Sequence, residues 1–244
     1  MFSNFEEYGT AVVKELERLL PKTFQGAEVE FTKPLVGEEL SLMTLVLPNG
    51  ASYPYELDRP STPHYHDTEH LETVASLALY YLYKESLYEH RVSDGVVIYL
   101  AGLLHDIEHS LGAEPDEVNI RNSLMRARKL IPSGSMYRGL VLTAIEATKF
   151  PRVRQPTNLI EKCLMDADLT AVTMQEESGR AIFDKLFVEI NESKRLKQEP
   201  PLTRLQMLDQ QIHFQNTIEL YTNEAHVLYS RYSDNMITEM KCLL

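Results

Sequence analysis

Two histidine pairs, each spaced by four residues, constrain this chain more than anything else in it. They are His66 and His70 in His66-Asp67-Thr68-Glu69-His70, and His105 and His109 in Leu104-His105-Asp106-Ile107-Glu108-His109. Four helical residues return a side chain to the same face, so on a helix each pair presents two imidazoles side by side. The run before the second pair, Val96 to Leu104, is apolar almost all round, which predicts a buried helix. A His-Asp pair at the end of such a helix must find partners there, because an unpaired buried charge is expensive. Imidazole and carboxylate are ligand types for zinc, iron, manganese and similar divalent ions, and one bound ion would satisfy both groups. The chain must therefore bring helices together around a polar centre.

At 244 residues it can bury one large core or two modest ones. The net charge of -12 argues against nucleic acid or an anionic membrane as the partner. It is compatible with a small phosphorylated substrate, since a bound cation dominates the local field. No apolar run reaches membrane-spanning length, and Met1-Phe2-Ser3-Asn4-Phe5-Glu6-Glu7 lacks the basic start of a secretory signal. Cys163 and Cys242 stand far apart in no metal or redox spacing, which suits a reducing compartment. The expectation is a cytoplasmic protein.

Residues 1–20 read as an amphipathic helix with Phe5, Tyr8, Val12, Leu16 and Leu19 on one side and Pro21 as its stop. A small β excursion is expected over 25–58, from Glu28-Val29-Glu30-Phe31, Leu40 to Leu47, the turn Pro48-Asn49-Gly50 and the run 51–56. Arg59-Pro60-Ser61-Thr62-Pro63 is a stiff connector. From there the pattern is helical: Thr68 to Lys84, a helix from Ser93 or Asp94 to His105-Asp106, then about Pro115 to Ile131 and Tyr137 to Phe150. Further helices are expected from Pro156 through Leu169, over Gln175 to Leu196 and over Thr203 to Tyr232. The reading is a mainly α chain: an N-terminal appendage of helix and short strands at 1–60, a helical domain at 61–235 and a tail at 236–244.

A metal-dependent hydrolase needs a few protein ligands, open positions for water and substrate, and an acid for the leaving group. His70, His105, Asp106 and one later carboxylate would supply two nitrogens and two oxygens. Water at such an ion becomes hydroxide near neutral pH. His66, one turn before His70, can sit beside the ion without binding it, a suitable place for a general acid. Asp166 and Asp168 are the later carboxylates, and two helical residues apart they point about 200° from each other, so both cannot face one ion.

Tyr65-His66-Asp67-Thr68-Glu69-His70-Leu71-Glu72-Thr73-Val74 resembles the Tyr-His-Asn-x-x-His-x-x-x-Val run of HD-domain phosphohydrolases, a group that includes class I cyclic nucleotide phosphodiesterases. Leu104-His105-Asp106-Ile107-Glu108-His109-Ser110-Leu111-Gly112 is similar to their His-Asp-x-x-His-x-Gly segment. Asp166-Ala167-Asp168-Leu169 resembles the Ala-Asp-Leu segment that carries their last metal ligand. The resemblance implies an HD-domain helical bundle with His70, His105, Asp106 and Asp168 as metal ligands, His66 as proton donor and His109 lining the site. It implies a divalent ion as cofactor (zinc, manganese, magnesium or iron), one firmly held with the option of a second. Leu208-Asp209-Gln210-Gln211-Ile212-His213-Phe214 resembles the phosphodiesterase Gln-x-Gly-Phe segment, which would make Gln211 and Phe214 the residues that grip a nucleobase. The sequence departs from the family where Asp67 replaces asparagine, His213 replaces glycine and Phe150 stands where many relatives place a histidine.

The function expected is hydrolysis of a nucleotide or cyclic nucleotide phosphoester through a metal-bound hydroxide. A nucleotidase-type phosphomonoesterase and a non-catalytic metal-binding nucleotide sensor are the alternatives.

Overall fold

The computed structural model describes residues 2–32, 42–46, 65–86, 89–110, 114–152, 154–173 and 179–241. The first helix, α1 (Phe5–Leu19), is capped by Asn4, whose side chain accepts the Glu7 N–H at 2.9 Å. Its acidic first turn and Arg18 in the last follow the order the helix dipole favours, and Phe5, Tyr8, Val12 and Leu16 form the buried stripe. Pro21, expected as a stop, opens a one-turn helix, α2 (Pro21–Phe24), because its fixed φ and missing N–H suit a first helical position. Strands β1 (Glu28–Thr32) and β2 (Leu42–Val46) pair antiparallel, with Glu28 opposite Val46 and Thr32 opposite Leu42. Met43 and Leu45 turn inward from β2. The expected turn at Pro48-Asn49-Gly50, the run 51–56 and the connector 59–63 lie outside the described residues.

Among the described residues eight further helices follow: α3 (Thr68–Glu85), α4 (Val92–Leu104), α5 (Asp116–Leu130), α6 (Tyr137–Ala147), α7 (Leu159–Thr170), α8 (Gly179–Leu196), α9 (Arg204–Thr217) and α10 (Asn223–Lys241), with a 3₁₀ turn, Ala171–Thr173, after α7. The chain is thus mainly α, with a small helix-and-strand excursion at the start, as the spacing of its apolar residues predicts. At the centre α3 lies against α4, and every residue of α4 from Gly95 to Leu104 is buried. That is why its sequence is apolar on all sides. A Cβ on Gly102 would stand 2.5 Å from the Ala75 Cα, so glycine sets the distance between these two helices. Around them pack α1, whose Tyr8 hydroxyl donates to the Arg91 carbonyl at 3.0 Å, and α7, where Tyr81 and Thr170 hydroxyls meet at 2.8 Å. A second, smaller apolar cluster joins Tyr65 to Ile182 and Phe183 of α8 and to Met207 and Leu208 of α9. It fastens the chain just ahead of α3 to α8.

Three helix boundaries differ from expectation; one is the end of the last helix, since α10 runs past Tyr232 to Lys241, into the segment expected as a tail at 236–244. The helix expected to reach Phe150 ends at Ala147, where the Thr148 hydroxyl takes the Ile145 carbonyl at 2.8 Å and the Phe150 N–H goes to the Asp116 carboxylate. The single helix expected over 203–232 is two. Asp166, on α7, accepts the Tyr221 N–H at 2.9 Å and both the N–H and hydroxyl of Thr222 at 2.8 Å. Thr222 in turn receives the Ala225 N–H at 3.3 Å, so α10 starts afresh under a cap supplied from 55 residues away.

Candidate metal centre

The first turn of α3 delivers His70. Asp67 is the N-cap, its carboxylate accepting the His70 N–H at 3.0 Å, and the four-residue spacing puts His66 and His70 rings 5.3 Å apart. The end of α4 delivers the other pair. His105 keeps helical backbone angles just past Leu104, and its Nδ1 lies 2.7 Å from the Gly102 carbonyl. A carbonyl can only accept, so Nδ1 carries a proton directed away from the cluster, and Nε2 is the nitrogen that faces Asp168 and Asp106, at 3.3 and 3.6 Å. From α7 comes Asp168, with Oδ1 3.6 Å from His70 Nε2.

One donor atom each from His70, His105, Asp106 and Asp168 lies within 4.8 Å of the others. Ligands about 2.1 Å from a shared ion stand about 3–3.5 Å from each other, close to the 3.3–3.6 Å of the His105–Asp168, His105–Asp106 and His70–Asp168 pairs. The cluster is buried: His70 and His105 are each 1 % exposed. Among the described residues His70 Nε2 and His105 Nε2 have no hydrogen-bond partner. Two buried, orphaned imidazole nitrogens aimed at two carboxylates are what a divalent ion would repair, so the residues present fit a metal. The charges interlock in its absence too. Burial works against charge on His105, but Asp106 and Asp168 outweigh it and lift its pKa to about 9. Asp168, against burial, is held far below the usual carboxylate range by His105 and His70. Asp166, two residues earlier, faces away to cap α10, so α7 presents one of its two aspartates to the cluster.

His66 and His109 stand beside the cluster with their rings stacked, centroids 3.8 Å apart and planes inclined by 20°. Glu189 of α8 lies against both: its Oε1 bonds His66 Nδ1 and is 3.6 Å from His109 Nδ1, while Oε2 accepts the Tyr65 N–H at 2.8 Å. These three residues also bring donor atoms together. Ring nitrogens bind metals in the plane of the ring, however, and two nearly parallel planes 3.8 Å apart do not converge within bonding distance. The triad handles a proton better than it holds an ion. Burial opposes a charged His66, yet the charge and hydrogen bond of Glu189, with Asp106 and Asp168, raise its pKa to about 9. Burial and the charge on His66 push His109 down to about 4. One imidazolium and one neutral imidazole therefore share the carboxylate. With Nδ1 engaged, His66 turns Nε2 toward Asp106, 3.7 Å away.

The sequence reading did not single out Glu189. Its signal was present: Ile182, Leu186 and Glu189 recur at helical spacing on the apolar side of α8, and a carboxylate in that stripe needs a partner. Gln211 and Phe214, from α9, line the same cavity of about 310 Å³ as the cluster, and Phe214 meets Phe150 edge to face at 6.0 Å. Glu146 points outward from α6 and lines none of it. Among the described residues no helix is long and apolar enough to cross a membrane. No protein-family model matches this chain, and no curated protein does.

Proposed function

We propose that the chain is a divalent-metal-dependent phosphohydrolase of HD-like architecture, acting on a nucleotide or cyclic nucleotide phosphoester. The observation that carries this reading is the pairing of a four-residue His/Asp cage with an imidazole, His66, held separately beside it by the Glu189 carboxylate. A binding module has use for the cage alone; the His66-Glu189 arrangement beside it has a purpose when a leaving group must receive a proton. A divalent ion in the cage would supply Lewis acidity at a phosphoryl oxygen and ease deprotonation of water.

The protein's own groups do the rest. Asp106 and Asp168 keep the centre anionic enough to hold a cation, and the Gly102 carbonyl fixes the tautomer that leaves His105 Nε2 available. Glu189 keeps the proton on His66 and aims Nε2 at the cluster, where a departing alkoxide oxygen needs it. His109, neutral beside a charged neighbour, retains a nitrogen that can accept from water or substrate. Farther out, the Gln211 amide and Phe214 ring suit a flat heterocycle, with donor, acceptor and stacking face in one place. The test is metal analysis of purified protein followed by a panel of cyclic, linear and p-nitrophenyl phosphoesters assayed with manganese, magnesium and zinc. Stoichiometric metal and metal-restored hydrolysis of a nucleotide ester are expected; a protein that neither retains nor responds to any divalent ion refutes the reading.

A further inference from the structure

Asp116 lines the cavity of the His/Asp cluster but has no part in the chemistry described above. It is the first residue of α5, and its Oδ2 accepts the Phe150 N–H at 2.6 Å, which pins the carboxylate beside the Phe150–Phe214 pair. Among the described residues no other group bonds it, so Oδ1 keeps its accepting capacity. It is partly buried, and burial holds its proton affinity above the ordinary carboxylate value against the Phe150 bond. The Asp106 and Asp168 charges reach it and push the same way. A half-desolvated carboxylate oxygen without a donor invites one from the ligand.

The position selects which donor. Asp116 lines one cavity with Asp106 and Asp168, and it bonds the backbone of Phe150, whose ring meets that of Phe214. A nucleotide laid along that cavity puts phosphate at the cluster, base by Phe214, and sugar between them. We propose that Asp116 reads the sugar: its free oxygen accepts hydrogen bonds from ribose hydroxyls, so the site selects ribo- over deoxyribo-phosphoesters. This rests on the nucleotide reading of the cavity and adds a specificity residue to it. The same charge repels any ligand carrying a further phosphate at that point.

The test compares ribose 5-phosphate with its 2-deoxy and 3-deoxy analogues, by calorimetry on metal-loaded wild type, Asp116→Asn and Asp116→Ala. Wild type should bind ribose 5-phosphate about tenfold or more tighter than at least one deoxy analogue, as a charge-assisted hydrogen bond gives. Asp116→Ala should erase the gap by weakening the ribose ligand alone. Asp116→Asn, which keeps an acceptor for Phe150 N–H, should narrow it without lowering Tm. Equal binding of all three sugars by wild type overturns the proposal. So does an alanine variant that weakens every ligand alike, which would make Asp116 an anchor for Phe150 only. Tighter binding of phosphoethanolamine than of ribose 5-phosphate also overturns it, since the carboxylate would then serve a cation. Binding needs no turnover: ribose preference in a protein that hydrolyses nothing sinks the catalytic reading and leaves this one standing, while hydrolysis without sugar preference does the reverse.

Discussion

Replacing Glu189 by glutamine removes one charge and almost no volume, and it isolates what the carboxylate does for His66. Glutamine Oε1 can still accept the Tyr65 N–H that Glu189 now takes at 2.8 Å, so the chain entering α3 stays tied to α8. What changes is the electrostatics of His66. Its pKa of about 9 results from burial, which opposes the charge, losing to Glu189 first and to the aspartates second. The difference from an ordinary histidine near 6.5 is worth about 3 kcal/mol in favour of the imidazolium. Without the Glu189 charge burial regains weight, and a return to about 6.5 leaves a few per cent of His66 protonated at about pH 8 where most of it was before. Activity on a poor leaving group at that pH should fall roughly thirtyfold, and the alkaline limb of kcat against pH should move to lower pH. A bound cation shifts both proteins the same way, so the comparison survives it. Stability must follow the same signs. His66, raised, contributes fully below about 6.5 and loses its contribution as pH rises through about 9; Glu189, depressed to about 2, contributes above about 4.5 and loses it as pH falls through about 2. The two describe one ion pair. The Tm gap between wild type and Glu189→Gln should therefore be widest between about pH 4.5 and 6.5 and close above about 9. An unchanged alkaline limb, or a Tm gap indifferent to pH, would show that Glu189 does not hold this proton.

The two aspartates of α7 should part company: Asp168→Asn should lose the metal by mass-spectrometric analysis, while Asp166→Asn should keep it but melt earlier, since its bonds to Tyr221 and Thr222 are worth about 1–3 kcal/mol when broken. Metal lost from Asp166→Asn and retained by Asp168→Asn would reverse their roles. His66→Asn should hold metal normally and lose turnover by about 10²- to 10⁴-fold, with the loss shrinking for a p-nitrophenyl diester whose leaving group needs no proton; an equal loss on both substrates would make His66 a positioning residue. Gly102→Ala forces a methyl to 2.5 Å from the Ala75 backbone and should cost about 1–3 kcal/mol by denaturant titration, with weaker metal retention because His70 and His105 of the proposed cage stand at the ends of α3 and α4. Wild-type stability in that variant would mean the helices can separate freely.

What the sequence determined by itself is what local periodicity can carry. The all-apolar stretch of α4 can only be buried, and the histidine pairs belong beside helix ends: His66 precedes the Asp67 cap of α3, and His105 and His109 follow Leu104, so the one-face argument gives their neighbourhood and not their backbone. Those facts are enough to expect a mainly α chain with a polar centre at the ends of α3 and α4, and to see that Asp166 and Asp168 cannot share one ion. Which faced inward was open on spacing alone; the answer lies in the Tyr221 and Thr222 donors that occupy Asp166, 55 residues downstream. The same contact stands at the break in the helix expected over 203–232, where the local signal is a single cap residue, Thr222. Glu189 comes to His66 from 123 residues away, because the Tyr65, Phe183 and Met207 cluster presses α8 against the entry to α3. Asp116 and Phe150 meet across 34 residues for a similar reason, the packing of α5 on α6. Helical spacing reports which residues share a face. Only the burial of many apolar side chains, summed over the whole molecule, decides which faces meet and which proton or cation stands between them.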